Sequence, residues 1–411
     1  MVDLGRSDQL RISCTKERLG MNRVLNGLDV FQQDYWKKLQ GRRLGLLSNQ
    51  ASLDRHLKSS KEVISRLLPN QLKVLFGPQH GYGGEDQDNM VETNHALDRE
   101  LNIPIFSLYS RVREPSDEVL NLIDVLIIDL QDVGTRVYTF ASTMLNCLRA
   151  MAGLSKKVLI LDRPNPLGGE FVEGNLLKPE LYSFVGPFSL PMRHGLTMGE
   201  MARIFDHVFQ IGSDLDIVPM RGWDRRMQWA DTRNKWVMPS PNMPLPETAQ
   251  VYPGQVIWEG TNLSEGRGSC RPFEVFGAPF LDTARVKQML SPESTAGCYL
   301  QEVSFRPTFN KWEGEICHGF MIHVLDQSIY RPFGTSLALL ASIMDIHREQ
   351  FDWKPPPYEY EFKKLPIDMI LGDISLRRKL EKGEKPFQME EMWTKDLNDF
   401  IEWRNPFLLY A

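Results

Sequence analysis

The sequence predicts an α/β protein: a doubly wound and mostly parallel sheet, followed by a second, smaller α+β domain. Three observations predict it. Short β-branched runs alternate with longer amphipathic stretches through the first half. Val125-Leu-Ile-Ile and Val158-Leu-Ile-Leu161 are apolar at every position, as strands covered by helices on both faces must be. The chain has 411 residues, 42% of them hydrophobic, which is enough apolar surface for about two cores.

In chain order, strands are expected at Arg43–Ser48, Leu72–Phe76, Ile105–Leu108, Val125–Asp129, Val158–Leu161 and Leu215–Val218. Helices are expected between them at Lys61–Leu68, Ser116–Leu122 and Ser142–Met151. Thr197-Met-Gly-Glu200 reads as a capping box opening the helix through Met201–Phe209. From Trp223 to Pro279 the chain is rich in Pro, Gly and Trp. Within it, Met238-Pro-Ser-Pro-Asn-Met-Pro-Leu-Pro246 excludes an interior helix or central strand and predicts a long ordered loop. A helix (Asp282–Leu290), strands (Val303–Pro307, Phe320–Leu325), a long helix (Gly334–Arg348) and a charged, Pro-punctuated tail ending in a helix near Met389–Trp403 complete the pattern. The domains are expected at 26–270, carrying most of the site loops, and 271–411, closing the cleft.

Charge and composition exclude several function classes. Lys and Arg number 48 against 53 Asp and Glu, a net charge of −5, which argues against a nucleic-acid partner. No run approaches the roughly 18 apolar residues of a membrane span. Met1 to Asn22 has no apolar core of the secretory type, so a cytoplasmic location is expected. Five unclustered cysteines (Cys14, Cys147, Cys270, Cys298, Cys317) read as free thiols. The sequence contains no dinucleotide fingerprint, no P-loop, no zinc spacing and no nucleophile elbow, so neither metal nor cofactor is expected. His318 and His323, five apart in a strand, point to opposite faces.

In a parallel α/β sheet, ligands bind beyond the carboxyl ends of the strands. Three loops there are dense in polar groups. Phe76 to Met90 carries Gln79, His80, Glu85, Asp86 and Asp88 among glycines. Asp129 to Tyr138 carries Asp132, Arg136 and Tyr138, with Arg136 as the expected partner of Asp129. Leu161 to Gly174, stiffened by two prolines, carries Arg163, Asn165, Glu170 and Glu173. A fourth segment, Trp258 to Phe273, offers Glu259, Asn262, Glu265, Arg267 and Arg271 beside aromatic rings. That mixture suits a sugar bearing a carboxylate. Each segment also has a bland reading, as a braced or solvated loop. A cleft of carboxylates, arginines and amides is the equipment of glycoside hydrolysis, which needs only two carboxyl groups.

Asp129-Leu-Gln-Asp-Val-Gly-Thr-Arg136, Leu161-Asp-Arg-Pro-Asn-Pro-Leu-Gly-Gly169 with Val172-Glu-Gly174, and Glu259-Gly-Thr-Asn-Leu-Ser-Glu-Gly-Arg-Gly268 with Pro272-Phe-Glu274 follow one another in this order. Together they resemble the NamZ/YbbC-like family of exo-β-N-acetylmuramidases, a former bacterial domain of unknown function. The resemblance runs from about Gly27 to the C-terminus. It implies a Rossmann-like first domain, a smaller second one and a cleft between them. It also implies release of N-acetylmuramic acid from the non-reducing end of peptidoglycan fragments, without metal. The partner so implied is a small saccharide or muropeptide; no oligomeric state follows.

On this reading Glu85 or Glu173 is the general acid, and the other, or Asp132, activates water or stabilises developing charge. His80 orients a carboxylate. Arg136, Arg163 or Arg267 grips the lactyl carboxylate, and Asn165 and Asn262 bind hydroxyl or acetamido groups. Gln79, Tyr138, Glu259 and Glu265 complete the expected binding set. The chain departs from the family at Pro78-Gln79-His80-Gly81, where the family usually reads Pro-Glu-His-Gly. A glutamine transfers no proton. The second reading is therefore a non-catalytic relative that binds a saccharide or muropeptide, and a third is hydrolysis of another acidic glycoside.

Overall fold

The computed structural model describes residues 23–88, 90–110 and 113–411. Cys14 and the leader-free reading of Met1 to Asn22 lie outside them. The strands are β1 Leu44–Ser48, β2 Leu72–Gly77, β3 Ala96–Asp98, β4 Ile103–Ser107, β5 Val125–Asp129, β6 Lys157–Leu161, β7 Glu173–Leu176, β8 Pro191–Arg193, β9 Asp214–Val218, β10 Val275–Ala278, β11 Cys298–Phe305 and β12 Cys317–Val324.

Seven of them form one sheet, in the order β3-β4-β2-β1-β5-β6-β9. All pairs are parallel except β3 on β4. Without the antiparallel edge strand β3 this is the Rossmann order, with the strand order reversing at β1. All six expected strands are in it; β3 was not expected, being three residues long with two exposed side chains.

Alternation along β5 explains the double winding. Leu126 and Ile128 pack with helices Phe140–Met151 and Met198–Val208, while Val125 and Ile127 pack with Leu28 and with Val63 and Ile64 of helix Ser60–Leu67. Each face of the sheet therefore has its own core, and β5 is buried throughout. The Thr197 capping box forms as expected, both reciprocal hydrogen bonds being present.

The Pro-rich stretch is irregular up to Leu245. A helix, Pro246–Gln255, then starts with proline in its first turn, where the missing N–H costs nothing. A smaller second part follows. Its antiparallel sheet has the order β10-β12-β11, and helix Pro332–Ile346 packs against Pro246–Gln255. The expected last helix is Pro386–Trp403. Cys147, Cys270, Cys298 and Cys317 are free thiols. No helix of the described residues is long and apolar enough to cross a membrane.

Candidate active site

The strands β2 and β5 flank β1, where the strand order reverses, and the chain leaving each of them turns over the carboxyl edge of the sheet. After β2, Gln79 is buried and His80 takes a left-handed backbone (φ 74°), followed by Gly81 at φ 89°. Nδ1–H of His80 donates to the Asp86 carbonyl at 2.7 Å, since a carbonyl can only accept. That leaves Nε2 as the acceptor of the ring. After β5 come Tyr138 and Thr139, whose hydroxyl donates to the Gln79 amide oxygen. The Gln79 amide nitrogen donates to Oε1 of Glu359 at 3.0 Å.

These groups line a narrow hollow. Ser240 and Asn242 of the Pro-rich stretch join them, with Tyr252, Glu259, Arg267, Tyr358 and Glu359. Its electrostatics are uneven. Glu359 is buried, and burial raises its pKa above the usual carboxylate range; Glu259 adds to the rise. Hydrogen bonds from the Tyr109 hydroxyl (2.5 Å) and from Gln79 oppose it without cancelling it. Burial also pushes the His80 imidazole down to about 4, with the Arg267 charge adding to it, so His80 is neutral at pH 7.

Glu259 stands in a different setting. Its Oε1 lies 2.6 Å from Arg267 Nη2, and its Oε2 accepts the Tyr358 hydroxyl. Arg267 Nε reaches Glu265 at 3.2 Å, and Lys311 Nζ reaches the other oxygen of Glu265 at 2.9 Å. Burial works to raise the Glu265 pKa, but Lys311 and Arg267 outweigh it and hold the carboxyl below its ordinary range. Glu259, Arg267, Glu265 and Lys311 are thus a buried row of alternating charges. Among the described residues no group of three His, Cys, Asp or Glu is arranged to hold a metal ion.

Of the residues expected from sequence, Gln79, His80, Tyr138, Glu259 and Arg267 meet in this hollow. Others go elsewhere, each for a local reason. Glu85 is exposed and accepts the Gly83 N–H of its own turn at 3.1 Å. Glu173 lines a separate cavity, so the two expected catalytic carboxyls do not converge. Asp132 accepts the Gly134 N–H at 2.6 Å and lies 3.3 Å from His194 Nε2, which braces the loop rather than the hollow.

The partner of Asp129 is Arg163, through two bonds at 2.5 and 2.9 Å, and not Arg136. Arg136 donates instead to the carbonyls of Asn175, Leu190 and Ile370 at 2.8 to 2.9 Å. Neither arginine lines the hollow. Asn165 is spent on the Leu196 carbonyl and the Leu167 N–H, and Asn262 on the Gln350 carbonyl. Glu265 stands behind Arg267.

Sequence reading missed Glu359 and its neighbours Tyr109, Tyr358 and Tyr360. The available signal is Pro355-Pro-Pro-Tyr-Glu-Tyr360: a carboxylate between two aromatics on a stiff segment inside the charged, Pro-punctuated tail.

Two family models match this chain: the N-terminal part of the exo-β-N-acetylmuramidase NamZ over residues 44–247, and its C-terminal part over 250–410. The chain belongs to the NamZ family. A NamZ relative from Bacillus subtilis (strain 168), described as a peptidoglycan β-N-acetylmuramidase, is 37% identical over 388 residues, 94% of this chain and 92% of its own length. Two crystal structures of DUF1343-family proteins from Bacteroides fragilis NCTC 9343 have the same architecture. One superposes with a TM-score of 0.85 at 28% identity, the other with 0.75 at 25%; each match covers 95% of this chain and 99% of the other. The NamZ fold therefore extends over nearly the whole chain, and the family is one of glycosidases.

Proposed function

We propose that this NamZ-family chain hydrolyses the glycosidic bond of a terminal N-acetylmuramic acid at the non-reducing end of peptidoglycan fragments. The reaction takes place in the hollow where Glu359 faces the Glu259–Arg267 pair. The observation that carries the reading is the contrast between those two carboxyls. Burial keeps Glu359 protonated to higher pH than an ordinary carboxyl, as a general acid requires. Glu259, ion-paired and hydrogen-bonded, is the anionic group that activates water or faces the oxocarbenium-like charge.

Gln79 transfers no proton. Its amide aims Glu359, anchored in turn by Thr139. The Nε2 lone pair of His80 accepts from a sugar hydroxyl or from water. Arg113 does not line the hollow itself, but its charge reaches Glu359, and it is the candidate for the lactyl carboxylate. It stacks on Tyr360 (3.8 Å), Tyr109 (4.6 Å) and Phe184 (4.7 Å), and its buried Nη1 has no partner among the described residues. In domain terms, 26–270 supplies Gln79 and His80, and 271–411 closes over them with Glu359.

The test is Glu359→Gln. Sugar release from a natural muramyl disaccharide falls about 100- to 10,000-fold. A 4-nitrophenyl muramide, whose leaving group needs no proton, loses far less. An equal loss on both substrates removes Glu359 as the acid. Gln79 also favours a second reading, a saccharide-binding relative without turnover. Calorimetric binding of N-acetylmuramic acid with no release from either substrate selects it.

A further inference from the structure

A second cavity, of about 660 Å³, lies between the β7–β8 hairpin and the helices Pro332–Ile346 and Pro386–Trp403. Its volume falls in the range of small-molecule sites, about 300–1,000 Å³. Phe171, Phe333 and Trp393 give it an aromatic wall. Glu173 and Arg193 are register partners across the hairpin, so their side chains leave the same face. Opposite charges placed this way ordinarily close on each other. Among the described residues these two form no ion pair.

Each is instead held by one backbone hydrogen bond and carries a second polar atom that no group of the described residues meets. Glu173 Oε1 accepts the Gly334 N–H at 2.9 Å. Arg193 Nη2 donates to the Leu167 carbonyl at 2.6 Å, and the guanidinium stands 5.5 Å from the Phe171 ring centre. The Nε of Arg193 is buried without a partner, and so is the hydroxyl of Tyr330, 5% exposed on the same wall. The rim charges Arg331 and Glu390 already pair with each other at 3.1 Å.

We propose that this cavity binds a free α-amino acid with an apolar or aromatic side chain. The ammonium meets Glu173, the carboxylate meets Arg193 Nε and the Tyr330 hydroxyl, and the side chain lies among the aromatic rings. An amine alone leaves Arg193 unmatched, an anion alone leaves Glu173 unmatched, and a neutral apolar molecule satisfies neither. Burial raises the pKa of Glu173 to about 7; the Gly334 hydrogen bond and the nearby charges of Arg193 and Arg331 oppose the rise without cancelling it. The inference is independent of the hydrolytic reading, since it uses no residue of the Glu359 hollow.

Titration calorimetry of the full chain with L-phenylalanine tests it. Saturable binding is expected, weakened about tenfold or more in N-acetyl-L-phenylalanine and in L-phenylalanine methyl ester, each of which lacks one charge. Glu173→Gln keeps the Gly334 hydrogen bond and weakens phenylalanine but not its N-acetyl derivative. Tyr330→Phe removes only an unpartnered hydroxyl, so folding is not at stake; it weakens phenylalanine but not the methyl ester. Absence of saturable binding overturns the proposal, as do blocked derivatives that bind as well as phenylalanine or a silent Tyr330→Phe.

Discussion

Asp129 and Glu173 are both carboxyls set beside an arginine on a strand, and only one of them is paired. Asp129 ends β5 and takes both prongs of Arg163, which arrives from a proline-stiffened loop one strand away. Glu173 opens β7 opposite Arg193, but Arg193 is drawn off by the Leu167 carbonyl. The difference teaches what a buried charge is for. A carboxylate closed by a fork of two hydrogen bonds serves the scaffold. One left open beside its natural counter-charge keeps its response to protons and to solutes.

The comparison breaks most visibly when the arginines are removed. Arg163→Met leaves Asp129 buried and unpaired, and urea unfolding should show a loss of about 3–5 kcal/mol. Arg193→Met removes no ion pair, and the Leu167 carbonyl keeps its second hydrogen bond, from the Gln228 amide at 3.2 Å; the expected loss is about 1 kcal/mol. Equal costs would erase the distinction.

A gentler test uses pH. Burial pushes the Glu173 carboxyl up to about 7 in the fold, well above the range of a carboxyl in an unfolded chain. The folded state therefore holds its proton over that window while the unfolded chain has released it. The stability from this group is full below the unfolded value and is lost as pH rises through about 7. Glu173→Gln removes that slope. Its urea midpoint, compared with the parent, should improve between about pH 5 and pH 8; an unchanged difference would count against the open carboxyl.

The sheet was legible because burial on both faces leaves a mark that composition alone carries: Val125-Leu-Ile-Ile and Val158-Leu-Ile-Leu161 admit few other structures. The helix Pro246–Gln255 was not, because its prolines masked a segment that tertiary packing makes helical. The site divided the same way. Strand-end position brought out Gln79, His80 and Tyr138, and aromatic-flanked charge brought out Glu259 and Arg267. Which arginine meets Asp129 depends on how neighbouring loops cross, and no local spacing in Asp129 to Arg136 carries that information. Glu359 was beyond reach for a similar reason: its partner Gln79 is 280 residues away, and its backbone takes a left-handed turn (φ 46°) that three prolines only hint at.

That long span has a consequence during biosynthesis. The proposed proton donor leaves the ribosome near the end of translation, long after the Rossmann-like sheet can fold. Until then the half-made chain is an inert scaffold, and a truncated product lacking the last stretch would keep the sheet's framework while having no acid with which to cut a cell-wall fragment.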